Sequence, residues 1–343
     1  MFGAHGGVRG AVPVPAYRLE GAALEPGDTV TITYGDRRGG GRGMRLPEFS
    51  NDAVPLPVYV DLGGEHADIL ASLPIPTFRV VGGPVHAVHG FAPSIVTPGE
   101  RFVVSVRSED YHYNRATGEI PGLCVRVNGE PFAELPADRP IHLLEATFDR
   151  EGVYRFSFES ADGTVTGRAN PVWVRAQPEE RLYWGETHGH SGFAEGLGSV
   201  DSYFEFGRDD ARLDFLTLSE HDLWMDDHEW RVLDEAVRRF SREGEFLAYP
   251  GYEWTTNRGS GGHHNVFFRR PGFDRVPVQE APQLSMLYRE LHRRYRPEDV
   301  LVIPHAHQAG DWRLSDLGVE RLAEIVSGHG TFEWFGRLYL EHG

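Results

Sequence analysis

Lysine is absent from this chain: all 34 basic residues are arginine, against 51 acids, for a formal charge of -17. The absence excludes a Schiff-base or pyridoxal phosphate lysine and the lysine of a nucleotide-binding P-loop. It reads as a mark of genome composition rather than of function. The acid excess works against a nucleic-acid groove, where basic groups replace the counterions around phosphates. Cysteine is nearly missing as well. The single Cys124 rules out an intramolecular disulfide and cysteine-rich zinc knuckles, and its place in the apolar stretch Leu123 to Val127 leads us to expect a buried core thiol. No run approaches the roughly 20 apolar residues of a membrane-spanning helix, and no basic segment followed by an apolar run opens the chain. The expectation is a cytoplasmic protein acting on a small molecule, with no nucleic-acid or membrane partner.

What is present points to two domains. The chain has 343 residues, 40% of them hydrophobic and 25% charged, an ordinary globular composition long enough for two cores. Residues 1 to 176 read as short apolar or alternating runs between Gly, Pro, Asn and Asp clusters, the grammar of antiparallel sheet. Strands are expected at 29–34, 56–61, 77–81, 101–106, 123–127, 142–148, 153–158 and 171–175. This spacing predicts a β-sandwich, with a looser extension over the first sixty residues around Gly39 to Gly43.

From residue 177 to 343 strands alternate with helices, which predicts an α/β domain with largely parallel strands. Strands are expected at 182–185, 215–219, 246–252, 265–268, 300–304 and 323–327. Helices are expected at 200–211 and 282–295, with a third capped by Asp227 whose Trp230, Leu233, Val237 and Phe240 recur at helical steps as core.

Chemistry gathers at the strand ends of this second half. His188 and His190 follow the first strand, with Glu195 in the same loop; His221 ends the second and Glu253 the third; His263 or His264 opens the fourth, and His305 with His307 ends the fifth. In α/β folds such ends converge on one pole. Alternate residues of an extended segment point the same way, so His188 and His190 can hold one cation while Gly189 keeps the backbone clear. A lone H-x-H is weak evidence, but five successive strand ends carrying imidazole or carboxylate make metal binding the leading expectation. Elsewhere, His5, His66, His86, His89 and His112 share no spacing and read as surface or ordinary polar groups, and His228 and His292 as exposed helix positions.

The segments WGETHGHS (184–191), SEHD (219–222), YPGYEWT (249–255), GHHNVFF (262–268) and IPHAH (303–307) resemble, in this order, the motifs of the PHP (polymerase and histidinol phosphatase) superfamily. Within it, a β-rich first half joined to LYWGETHGH is similar to a group of unknown function. The resemblance implies a distorted (β/α)7 barrel holding up to three zinc, manganese or iron ions and hydrolysing phosphoesters with a metal-activated water. Carried over, His188, His190, Glu195, His221, Glu253, His263 or His264, and His305 become the ligands. Glu186 and Glu220 stand where the family has aspartates and are expected to orient imidazoles. Arg258, in the flexible TTNRGSGG loop (255–262), is expected to grip phosphate, and Asp222 to assist proton transfer. The family's closing Asp-x-His pair does not follow Ile325 to Gly330, so the barrel is expected to lack its last strand unless His329, Glu333 or His342 substitutes. Two rivals stand beside phosphoester hydrolysis: hydrolysis of another ester or an amide, and a non-catalytic protein whose sandwich grips a carbohydrate or partner above a structural metal.

Overall fold

A computed structural model describes residues 17–21, 23–56, 58–61, 69–71, 74–194, 196–309, 314–327 and 330–331, without the side chains of 69–71, 258, 306–309, 327 and 330–331. The first half is built on a seven-stranded sheet in the order Ile141–Ala146, Phe102–Glu109, Ala87–Phe91, Thr166–Ala169, Phe156–Ser160, Leu123–Val127 and Glu130–Leu135. All neighbours are antiparallel except Thr166–Ala169 beside Ala87–Phe91. A second sheet of Gly152–Tyr154, Val172–Val174 and Ile95–Val96 packs on it. Val88, Val104, Val106, Val125, Phe156 and Phe158 from the large sheet meet Val96, Val172 and Val174 from the small one in one buried core. The arrangement is sandwich-like, two sheets each hiding one face of alternating residues.

Alternation also corrects two expectations. Leu123, Val125 and Val127 face inward, so Cys124 between them is exposed rather than a core thiol. Thr29 to Tyr34 forms no strand despite its β-branched composition: described residues from 17 to 50 carry only turns and stand almost entirely exposed, with no face to bury. Of the strand expected at 56–61 only Tyr59–Asp61 forms, after a separate strand Asn51–Pro55, and the strand expected at 153–158 is split between Gly152–Tyr154 and Phe156–Ser160.

The second half begins with parallel pairing of Gly185–Glu186, Phe215–Thr217 and Leu247–Tyr249. The expected parallel sheet does not continue: Gly251–Thr255, Gly262–Phe268 and Val300–Ala309 pair antiparallel. A single parallel bridge between His221 and Glu253 joins the two sets. Three α-helices are found among the described residues, α1 (Val200–Glu205), α2 (Asp227–Phe240) and α3 (Leu284–Arg294), so these residues do not by themselves make seven β/α units.

Each helix has a local cause. The cap of α2 is Asp226 rather than Asp227: its carboxylate accepts from the amides of His228 and Glu229, while Glu229 returns the bond to Asp226 N. Trp230, Leu233, Ala236, Val237 and Phe240 then share one buried face. Leu284, Leu287, Tyr288 and Leu291 do the same on α3, and both helices end in basic residues that complement the helix dipole. Ser199 caps α1, which widens into a π turn over Phe206–Asp210. These faces, with Leu216, Leu218, Tyr252, Trp254 and Val302, make the second core.

Contacts across the seam fix the two halves together. Arg115 grips Asp210 with bonds of 2.9 and 2.5 Å, Trp184 Nε1 donates to Ser94 Oγ at 2.8 Å, and Arg181 pairs with Glu100 at 3.0 Å. No helix among the described residues is long and apolar enough to cross a membrane.

Candidate metal centre

The chain leaving Gly185 stays beside the Phe215–Thr217 strand, because Ser219 N donates to Gly189 O at 2.9 Å. That contact carries His188 and His190 to the level of His221, whose parallel bridge brings in Glu253. Antiparallel pairing then sets His263 opposite Thr255 and His264 opposite Pro304. Five neighbouring strand positions therefore deliver their polar side chains to one place.

The centre of that place is Glu253, fully buried. Its Oε2 lies 3.2 Å from His188 Nε2 and 3.5 Å from His190 Nε2; its Oε1 lies 2.5 Å from His263 Nδ1 and 3.6 Å from His221 Nδ1. His305 completes the ring, with its centroid 4.5 Å from that of His188 and 5.8 Å from that of His263. His190 and His221 stack at 4.8 Å, nearly parallel at 8°. Two triads offer ligand atoms mutually within 4.8 Å: His188, Glu253 and His305, and His190, His221 and Glu253. Glu253 belongs to both.

Surrounding groups hold these rings. The Thr255 hydroxyl donates to Glu253 O at 3.1 Å and so accepts from His221 Nδ1 at 2.6 Å, which leaves Nε2 the unprotonated nitrogen of a neutral His221. Glu186 and Glu220 accept from main-chain amides, of His188 at 2.6 Å and of Ser191 at 2.7 Å, and so fix the loop carrying the H-x-H pair. Gly189 has Tyr203 of α1 directly against it, and Gly196 has the His190 carbonyl.

One residue not anticipated from the sequence joins the group. Glu324 receives His188 Nδ1 at 3.0 Å and lies 3.9 Å from His305 Nδ1. His188 is thereby held between two carboxylates, with Nε2 toward Glu253, the arrangement that fixes the tautomer of a metal-ligating histidine. An acid in the strand expected over 323–327, next after IPHAH, was the available signal.

Other expected positions fall elsewhere. His264 is not with the cluster: it follows His263 on an extended strand, so its ring faces the opposite side, 3.4 Å from Glu320 and against Tyr288. Asp222 is not poised for proton transfer. It is buried, accepts from Arg275 Nη1 at 2.6 Å and from the Val278 amide, and ties the loop after Phe268 to the His221 turn. Burial pushes its carboxyl up, and those two bonds oppose the shift. Arg258 lies in a 3-10 turn, Arg258–Ser260, and its side chain is outside the described set. Glu195, His329, Glu333 and His342 lie outside the described residues, as does the His307 side chain.

Electrostatics tie the cluster to pH. Burial alone would raise the Glu253 carboxyl, but hydrogen bonds from His188 and His263 and the charge of His221 hold it well below the usual carboxylate range. Burial alone would lower His188, yet its bonds to Glu253 and Glu324 raise it to about 10. In the metal-free protein the His188 contribution is complete below the ordinary histidine value of 6.5 and is lost as pH rises through about 10. The Glu253 contribution is complete above its ordinary 4.5 and lost as pH falls well below it. Urea midpoints of chelator-treated protein are therefore expected to be highest between these ordinary values and to fall from pH 7 to 10. A metal-free midpoint that rises over that alkaline range contradicts the pairing.

Thr187, Phe215, Thr217, Tyr249, Phe267 and Leu301 help to line a largely apolar pocket of about 200 Å³.

No family model matches the chain. An uncharacterized protein of Chlamydia trachomatis is 24% identical over 334 residues, spanning 90% of this chain and 52% of its own length. Another, from Chlamydia pneumoniae, is 23% identical over 345 residues, spanning 94% and 54%. The chain thus spans about half the length of the curated relatives it matches. Among solved structures, the CARDB domain of a Pyrococcus furiosus protein is 15% identical, with a TM-score of 0.20, and covers 26% of this chain and 94% of its own. Fibronectin(III)-like modules of Clostridium thermocellum CbhA are 20% identical, with a TM-score of 0.21, and cover 39% and 68%. Scores this low transfer neither fold nor function.

Proposed function

We propose that the second half of this chain is a metal-dependent hydrolase, in the first instance a phosphoesterase, built as an arc of a distorted PHP-type barrel. The observation that carries this reading is the one buried carboxylate, Glu253, shared by two histidine-containing triads. The donor set fits divalent ions such as zinc, manganese or iron: imidazole nitrogens and a carboxylate, with no thiolate, converge on each position. His188, Glu253 and His305 would hold one ion and His190, His221 and Glu253 another. Ions held there supply Lewis acidity and an acidic water able to attack near neutral pH.

The chain's own contribution is geometric. Glu253 spaces the two triads, Thr255 and Glu324 hold the rings of His221 and His188, and Glu186 and Glu220 brace the H-x-H loop. Trp224, its ring 4.9 Å from His221, walls one side and keeps bulk water from that imidazole. The barrel reading draws support from the order of the ligands along the chain.

Manganese- or zinc-loaded protein is expected to hydrolyse an aryl phosphomonoester or diester, to lose that activity with chelator, and to lose at least about 100-fold in His190→Ala. Turnover indifferent to both chelator and His190→Ala ends the proposal. Faster turnover of carboxylic esters or amides than of phosphates would keep the metal site and change the substrate class.

A further inference from the structure

The loop that follows Phe102–Glu109, next to the Arg115–Asp210 contact, carries an assembled surface that the metal centre does not use. The loop Asp110 to Asn114 is tied down by one buried carboxylate: Asp110 accepts from the amides of Gly83, His112 and Asn114 at 2.8, 2.8 and 3.0 Å. That anchoring presents Tyr111 and Tyr113 to solvent at 71% and 63% exposure. Tyr113 is held at φ +66°, a conformation that an aromatic residue adopts only when its surroundings impose it. Strain at an exposed ring is a reason to look for a ligand.

Histidines scattered in the sequence meet these rings. His86 packs edge-on to Tyr111 at 5.2 Å, and His89 lies nearly parallel to Tyr113 at 6.2 Å. His89 is itself fixed from below: its Nδ1 meets Glu109 Oε1 at 2.6 Å, and Glu109 Oε2 accepts from Arg107 at 2.9 Å. Both of those charged side chains are at most 5% exposed, while the His89 side chain is 46% exposed. A buried ion pair is costly to form, and here its outer end orients one accessible imidazole. Donation from Nδ1 to Glu109 leaves Nε2 as an acceptor toward solvent.

We propose that this surface binds a neutral saccharide, its C–H faces stacked on Tyr111 and Tyr113 and its hydroxyls bonded to His89 and His86. The chemistry selects this class. Planar rings interleaved with fixed polar atoms suit a ligand that is apolar on its faces and hydroxylated at its rim. The chain's charge of -17, with Glu109 and Asp110 beneath the surface, disfavours a nucleic acid or another polyanion.

The test uses the full chain and three linear probes, cellohexaose, xylohexaose and chitohexaose, titrated by calorimetry. Saturable one-site binding of at least one probe is expected, weakened about tenfold or more by His89→Ala and by Tyr111→Ala. Tyr113→Gly is the decisive variant. Glycine relieves the positive φ, so its melting temperature is expected to match or exceed that of the parent while binding is lost. Failure of all three probes to bind at millimolar concentration overturns the proposal, as does undiminished binding by Tyr113→Gly. Metal content is independent of this surface and is expected to stay unchanged in every variant.

Discussion

Glu253→Gln is expected to empty both metal positions in one step. The two triads share this carboxylate and no other residue, so its loss differs in kind from that of a histidine. His190→Ala leaves His188, Glu253 and His305 intact, and His305→Ala leaves the other triad. Elemental analysis should therefore show a stoichiometry reduced by one ion in either histidine variant and close to zero in Glu253→Gln. Stability should drop with it. Gln is nearly the same shape but brings a neutral amide among imidazoles that are paired with a charge, and breaking a buried pair from one side costs about 3–5 kcal/mol. Glu324→Gln is a graded control, expected to weaken metal binding by about 10–100-fold without abolishing it, because Glu324 touches His188 from behind. A Glu253→Gln protein that retains both ions would show that the carboxylate is a bystander.

Gly189→Ala is expected to do comparable damage for a different reason. The glycine between the two histidines has an ordinary φ, so its need is for space: a Cβ there would stand 1.8 Å from the Tyr203 hydroxyl and 2.6 Å from its ring carbon. Tyr203 is packed by α1 against the second core and cannot withdraw cheaply. The clash should instead push the loop outward, moving His188 and His190 together, at about 1–3 kcal/mol of overpacking. Metal affinity should fall in both triads, since each takes one ligand from this loop. The double variant Gly189→Ala/Tyr203→Leu should recover much of the loss, a non-additivity that a mutant cycle measures directly. Native-like metal affinity in Gly189→Ala would remove Tyr203 from the account.

How much of this could be read from the residues differs from place to place. The gathering of His188, His190, His221, Glu253, His263 and His305 was legible because each sits at the end of a short apolar run, and strand ends of an α/β unit share a pole. Side-chain alternation resolves His263 from His264 only once the strand's orientation is known, since adjacent residues always face apart. Asp222 looked like a partner in chemistry because it follows His221, yet its side chain leaves for Arg275, a partner 53 residues away. Glu324 had only the weak signal of an acid in an expected strand, because its contact with His188 spans 136 residues. In the first half, several strands were expected within a residue or two of where they lie, whereas Ala87–Phe91, Glu130–Leu135 and Thr166–Ala169 were missed. Those three carry Gly, Pro, Glu or Arg that weaken the strand signal and are held by neighbours on the sheet.

The sequence by itself determined the change from β-rich to mixed α/β grammar, the residue types available to a cation and the exclusion of lysine and disulfide chemistry, because periodicity and composition are local. Only the tertiary structure decided that one carboxylate serves two triads, that Glu324 stands behind His188, and that His86 and His89 meet the tyrosines of a distant loop. Those facts depend on which strands lie side by side and which way each side chain turns, and both are settled by burial summed over the whole fold.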